Sequence, residues 1–292
     1  MYTDSMRLDL RWHGNCWFGH RPPECFGLDE TTKHMKQSNY LALTIGSISA
    51  LSLVTSAIAG SSASSSSSGM MEGMTSGSLE ALSSAGGLLG EVGGELSAGY
   101  DTHYFFRGAD LGENAVWTGL DLAIPLTEAL ELGIGAWYIN PTEDAFDDEL
   151  DLYASLGTSI GALDVAVGYT AYIYPEADGG DTNEVGISVG TSVGMFSVGA
   201  GYYYDFDLEA SYYEGTIGVE VPLGDSLSAG LSATGGFVDS DYAHTTVAVE
   251  FPISLSDSAS LTPYVAGVFP GSDVYGDADD EVFGGAAISV SF

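Results

Sequence analysis

The sequence predicts an all-β fold, a transmembrane antiparallel up-and-down β-barrel of about twelve strands. Three observations carry that expectation. Apolar and small or polar residues alternate with period two from Glu95 to the end of the chain, the connections alternate between short and long, and the final alternating segment ends on an aromatic carboxyl-terminal residue, Phe292.

The chain has 292 residues, and its first part reads as an address followed by a spacer. Met35 and Lys36 open a charged segment, an apolar run follows over 40–54, and Ala57-Ile58-Ala59 supplies a small-x-small cleavage site. That order is secretory, so 35–59 is expected to be a Sec-type signal peptide directing the chain to the outer membrane of a Gram-negative envelope. The run is too short, and too interrupted by Ser and Gly, to span a bilayer as a helix. Residues 1–34 precede a complete signal and read as a non-native upstream extension with Met35 as initiator. They hold both cysteines, Cys16 and Cys25, so no disulfide framework or thiolate metal site is expected in the body. Residues 60–94 are rich in Ser and Gly, with an almost unbroken serine tract at 61–68, and read as a periplasmic leader or linker.

The barrel is expected over 95–292. Alternation marks strands at 96–104, 116–126, 130–138, 150–160, 163–173 and 185–193, then at 196–204, 213–223, 227–237, 243–253, 261–269 and 282–292. Short connections fall at 127–129, 161–162, 194–195, 224–226 and 254–259; longer acidic ones fall at 108–114, 140–149, 175–183, 205–211, 239–242 and 270–281. Short turns on one side and longer loops on the other are the up-and-down pattern, and an even strand number puts both termini on the turn side. About ten residues at roughly 3.3 Å each, tilted near 40°, cover the apolar band of a membrane barrel, about 25 Å.

The apolar face of these segments carries no Asp, Glu, Lys or Arg. A basic residue facing lipid at the midplane costs about 2–4 kcal/mol, so a charge-free face fits a bilayer. Tyr100, Tyr104, Tyr138, Tyr169, Tyr202, Tyr204, Tyr213 and Phe237 gather near the loop-side strand ends. Phe196, Phe251 and Phe292 lie nearer the other rim, which makes a pair of aromatic girdles. A secreted, acid-rich β-sandwich would also alternate; the signal, the loop lengths and the terminal Phe favour the barrel.

The stretch Tyr104-Phe105-Phe106-Arg107-Gly108, preceded by Asp101 and followed by Gly119-Leu120-Asp121, resembles the first hairpin of the TorF-type porin family of conserved hypothetical outer-membrane β-barrel proteins. Gly135-Ala136-Trp137 matches that family's Gly-x-Trp on the third strand. The resemblance covers the first three strands, and the rest only by pattern. The chain departs from it at Ala109-Asp110 and in two extra residues between Asp101 and Tyr104. It implies a porin-like barrel, with no catalytic residue to carry over.

Charge narrows the function. The formal net charge is −35, and after Lys36 the single Lys or Arg is Arg107. Nucleic-acid binding is excluded, because nothing could displace phosphate counterions. Parity puts Asp101, Asp121, Glu131, Asp151, Asp164, Glu184, Glu214, Glu220 and Glu250 on the inward face, among small residues such as Gly99, Ser155, Gly168, Ser188 and Ser232. That lining predicts a narrow, cation-preferring path for passive diffusion of small polar or cationic solutes. The opposite expectation is a non-conducting surface barrel, its lumen filled by Trp117, Trp137, Tyr153, Tyr172 and Tyr203, whose acidic loops bind divalent cations or a partner. Arg107 falls on the inward face or the loop-side rim. It is either a charged element at a constriction or a structural partner of a lumen carboxylate such as Asp101 or Asp121, and one cation among so many acids is expected to be paired.

The loop acids Asp144, Asp147, Asp148, Glu149, Asp277, Asp279, Asp280 and Glu281 have no EF-hand spacing and read as a solvated rim rather than a metal site. His103 and His244 are the histidines of the exported part. A serine such as Ser232 or Ser240 with His244 could form a nucleophile and base, but no motif fixes one, and no enzyme and no cofactor is expected. The expected partners are outer-membrane lipid, the barrel-assembly machinery reading Phe292 as its signal, and small solutes or cations.

Overall fold

The computed structural model describes residues 92–143, 147–175 and 180–292. The expected upstream extension (1–34), signal peptide (35–59) and all but the last residues of the leader (60–94) lie outside the described residues. The strands are β1 (Gly93–Phe106), β2 (Ala109–Pro125), β3 (Glu131–Asn140), β4 (Glu149–Ile160), β5 (Leu163–Ile173), β6 (Thr182–Val193) and β7 (Phe196–Asp205). They continue with β8 (Ala210–Pro222), β9 (Ser228–Val238), β10 (Asp241–Glu250), β11 (Ile253–Ser256), β12 (Ala259–Pro270) and β13 (Glu281–Ser291), and one helical turn, α1 (Ser272–Tyr275), precedes β13.

Each strand pairs antiparallel with its neighbour, β10 pairs with β12, and β13 returns to β1, so the sheet closes. β10 and β11 both pair with β12. They are two parts of one wall strand, and the wall has twelve strands. The break falls at Phe251-Pro252: the Phe251 amide still donates to Pro263 O at 3.0 Å, but Pro252 has no amide with which to continue the ladder. The first and last strands meet at Gly94 and Phe292, whose amides each donate to the other's carbonyl at 2.9 Å. The Phe292 ring lies outward over Gly94, where a Cβ would strike it.

The expected strands are present in order, and the turns at Gly161-Ala162 and Gly194-Met195 fall where they were predicted. Two expected long loops are absent. Residues 109–114 belong to β2, because Arg107 (φ 48°) and Gly108 (φ 94°) make a two-residue turn with both φ positive, the hairpin geometry that matches strand twist. Likewise 239–242 shrinks to a two-residue turn, Asp239 (φ 54°) and Ser240, followed by the first two residues of β10.

Alternation sorts the wall as expected. Leu120, Ile134, Leu152, Val167, Ile187, Val198, Ile217 and Leu231 face outward and are exposed. At the loop end, outward tyrosines tie their hydroxyls to polar groups of the rim: the exposed Tyr169 donates to Asn183 Oδ1 at 2.5 Å and the half-buried Tyr138 to Asp148 Oδ2 at 2.7 Å. Tyr104 does not belong to this girdle. A β-bulge between His103 and Phe105 shifts the register, and the Tyr104 side chain lies buried inside.

The interior has two unlike halves. Buried apolar residues concentrate at the loop end, where Tyr104, Phe106, Leu111, Trp137, Ile139, Tyr172, Tyr212 and Val238 pack with Tyr275 of α1. Toward the turn end the inward positions are small, as at Gly133, Ser155, Ser188, Gly199, Gly218 and Ser232. Between the halves, inward rings lie over the glycine directly opposite in the register: Trp117 over Gly99, Tyr153 over Gly135 and Tyr203 over Gly186. A Cβ at any of these glycines would collide with the ring, so each pair sets how far the ring reaches into the lumen.

Candidate functional site

The site is the far end of the first hairpin, which leaves the wall and enters the barrel. Pairing of β1 with β13 stops at Asp101 opposite Gly285, and pairing of β2 with β3 begins at Val116 opposite Asn140. Residues 102–115 therefore form a tongue without a continuous sheet neighbour; one bridge, Glu113 to Glu143, touches the β3–β4 connection. Positive φ at Gly112 (132°) and Asn114 (55°) bends its second strand. The residues explain its direction. Tyr104, Phe105, Phe106, Ala109 and Leu111 are apolar at both parities, so neither face of the tongue suits water, and all five are buried. Fully burying one side chain of Phe or Leu size contributes about 1.5–3 kcal/mol.

The tip crosses the lumen. Arg107 is 7% exposed, and its Nη1 and Nη2 donate to the two carboxylate oxygens of Glu184, on β6, at 2.7 and 2.9 Å. Its guanidinium carbon stands 4.7 Å from the ring centre of Phe106, 4.9 Å from that of Tyr203 on β7 and 4.0 Å from that of Tyr212 on β8. The Tyr275 hydroxyl donates to Arg107 O at 2.7 Å, and Tyr172 donates to Glu184 at 3.2 Å. Burial alone would make the guanidinium easier to deprotonate; the Glu184 carboxylate beside it more than reverses this, and the group stays charged. The base of the tongue is held separately: Tyr104 donates to Glu149 Oε2 at 3.3 Å, and the Phe105 ring lies 5.0 Å from that of Phe283.

Gly108 shows how closely the tip is fitted. A Cβ there would stand 2.6 Å from His244 Cβ and 2.9 Å from Tyr275 Cε2, at a φ that L side chains rarely adopt. Gly108→Ala is expected to lower stability by about 1–3 kcal/mol. A drop in the urea midpoint of the refolded barrel would report it; an unchanged midpoint would mean that the tip is not seated as described.

The expected inward acids do not form one site. Glu184 and Glu214 meet at the tip, with Glu214 accepting from Tyr203 at 3.1 Å. Asp151 is buried beside Glu149. Asp101 accepts from Tyr264 at 2.7 Å, and Asp121 accepts from Tyr153. Arg107 therefore pairs with neither Asp101 nor Asp121, because the tongue carries it past the strand that bears Asp101 to the opposite wall. Glu131 and Asp164 are half-buried toward the turn end, and Asp164 accepts from Ser159 at 2.6 Å. Glu220 and Glu250 are exposed near the turn rim. Glu149, expected in a solvated loop, is instead 1% exposed as the first residue of β4; Asp144 lies outside the described residues. Sequence reasoning missed Phe106, Tyr212 and Tyr275 around the tip and Glu149 at the base of the tongue. The signal that could have found them is an apolar run, unbroken in parity, around the only downstream cation.

His244 is buried, with Nε2 2.8 Å from the Tyr212 hydroxyl and Nδ1 3.0 Å from Thr246 Oγ1. Ser232 stands opposite Ala248, well down the ladder from His244, and Ser240 sits in a turn. Among the described residues no group of three or more His, Cys, Asp or Glu side chains is arranged to hold a metal ion.

A closed twelve-strand barrel with an arginine-tipped tongue across one end is thus the class of molecule defined by fold and site. Neither a family model nor a curated protein matches the chain. Among solved structures, the KdgM porin is similar at 11% identity and TM-score 0.47, over 68% of this chain and 99% of that one. The NanC porin is similar at 13% identity and TM-score 0.44, over 68% and 98%. The translocator domain of the autotransporter NalP from Neisseria meningitidis is similar at 14% identity and TM-score 0.42, over 73% and 94%.

Proposed function

We propose that the chain is a porin-like channel of the outer membrane, through which small polar or cationic solutes diffuse passively, and that the tongue sets its narrowest point. The observation that carries this reading is the division of one wall into two chemistries. Outward positions are apolar and free of charge, while inward positions beyond the packed loop end are small or acidic. A bilayer requires the first, and a cation-preferring aqueous path requires the second. Asp101, Asp121, Glu131, Asp164, Glu214, Glu220 and Glu250 line the path on this reading, with Arg107, Asp151 and Glu184 at its constriction. The chain joins the TorF-type porins through its first hairpin, and Phe292 serves as the assembly signal read by the barrel-assembly machinery after Sec-dependent export.

The packed loop end also favours a second reading, a non-conducting surface barrel whose acidic loops bind divalent cations or a partner. Reconstitution in a planar bilayer separates the two. The channel reading expects stepwise conductance with cations preferred over anions. Anion preference, or silence in both the wild-type chain and Arg107→Ala, overturns it.

A further inference from the structure

The surroundings of Arg107 have the composition of a receptor for an organic cation, and the tongue delivers its own guanidinium into it. Glu184, 3% exposed, offers both carboxylate oxygens to the fork. Tyr203 and Tyr212, on adjacent strands, face the charge, and Glu214 lies behind Tyr203. A planar cation gains from a bidentate carboxylate and from aromatic faces at once, whereas a hydrated metal ion uses neither well. These wall groups belong to β6, β7 and β8; the guanidinium belongs to the tongue, which is not laddered to any of them. Arg107 also sits at a positive φ where Asn or Gly is the usual choice, so the turn itself does not call for arginine.

We propose that the wall cluster of Glu184, Tyr203, Tyr212 and Glu214 is a binding site for small guanidinium and amine solutes, occupied at rest by Arg107. A soluble guanidinium compound then competes with the tongue for the site. Binding stands apart from conduction, whereas the consequence that such solutes favour the open lumen rests on the channel reading.

Methylguanidinium, at millimolar concentrations far below denaturing ones, is the probe for the full refolded barrel. In Arg107→Ala it should raise the temperature at which the compact gel band is lost and should reduce single-channel conductance. Sodium chloride at equal concentration should do neither. The concentration for half effect should rise at least tenfold in Arg107→Ala/Glu184→Gln, and the wild-type chain, its site filled, should shift at least tenfold less readily. No shift in Arg107→Ala, or an equal shift in all three proteins, overturns the proposal. If Arg107→Ala does not assemble alone, methylguanidinium in the refolding mixture must restore assembly, and failure to do so overturns it too. Thermal stabilisation without conductance in any variant would keep the site and remove the channel; conductance without block or stabilisation would do the reverse.

Discussion

Arg107→Ala is expected to lower the stability of the barrel by about 3–5 kcal/mol, the cost of removing one member of a buried ion pair and leaving the other charge uncompensated. Glu184 would keep its Tyr172 hydrogen bond but lose both guanidinium donors, in a place where water reaches it poorly. The three rings around the guanidinium lose their cation as well, at about 0.5–2 kcal/mol each. The double variant Arg107→Ala/Glu184→Gln should be more stable than Arg107→Ala, because it removes the stranded charge. Arg107→Lys should fall between, retaining the charge and losing the fork. Loss of the guanidinium also loosens the tip, so Arg107→Ala should conduct more than the wild-type chain. Urea midpoints of the four refolded proteins would check the order. A single variant as stable as the wild-type chain would mean that the pair does not hold the tongue.

The strands were legible because a barrel wall imposes its period directly on the sequence. Each step along β3–β9 moves a side chain from outside to inside, so the parity of Leu152 or Ile187 could be counted without coordinates. Counting fails where the backbone inserts an extra residue. The bulge at His103 to Phe105 is invisible to alternation, and it turned Tyr104 from an expected girdle residue into a buried one. The loop reading of 108–114 failed for a related reason. Acidic and glycine residues suggested a solvated connection, whereas Ala109 and Leu111 were the apolar residues that the tongue needed inside. The Glu184 partner of Arg107 lay beyond parity altogether, since 77 residues separate the two and only closure of the sheet brings their walls face to face. What composition did indicate was that so isolated a cation would be paired.

The same division explains why the loop end is packed and the turn end is not. Large inward aromatic residues such as Trp137, Tyr153, Tyr172, Tyr203 and Tyr212 all lie near the tongue, while the inward residues beyond them are small or acidic. A soluble barrel would be expected to fill its whole interior, because buried apolar volume is its main source of stability. Here much of the exposed apolar surface faces outward instead, which makes the surrounding medium the decisive question.

Ile187→Arg and Ser188→Arg answer it with neighbouring residues near the middle of β6. Ile187 faces outward and is exposed; Ser188 faces inward, opposite Ala166 on β5 and Gly201 on β7. In a bilayer, Ile187→Arg should cost about 2–4 kcal/mol, because the guanidinium must enter hydrocarbon or bend its strand toward the headgroups. Were the outer face wet, the same change would be an ordinary surface substitution, within about 0.5 kcal/mol. Ser188→Arg meets the reverse conditions. It points among small side chains in a half with several acids and one distant cation, so it should cost less than Ile187→Arg in lipid and should weaken cation preference. Urea midpoints of both variants refolded into lipid vesicles give the comparison. Equal costs, or the larger cost at Ser188, would contradict a lipid-facing outer wall, because only a hydrocarbon surround makes the exposed position the more demanding of the two.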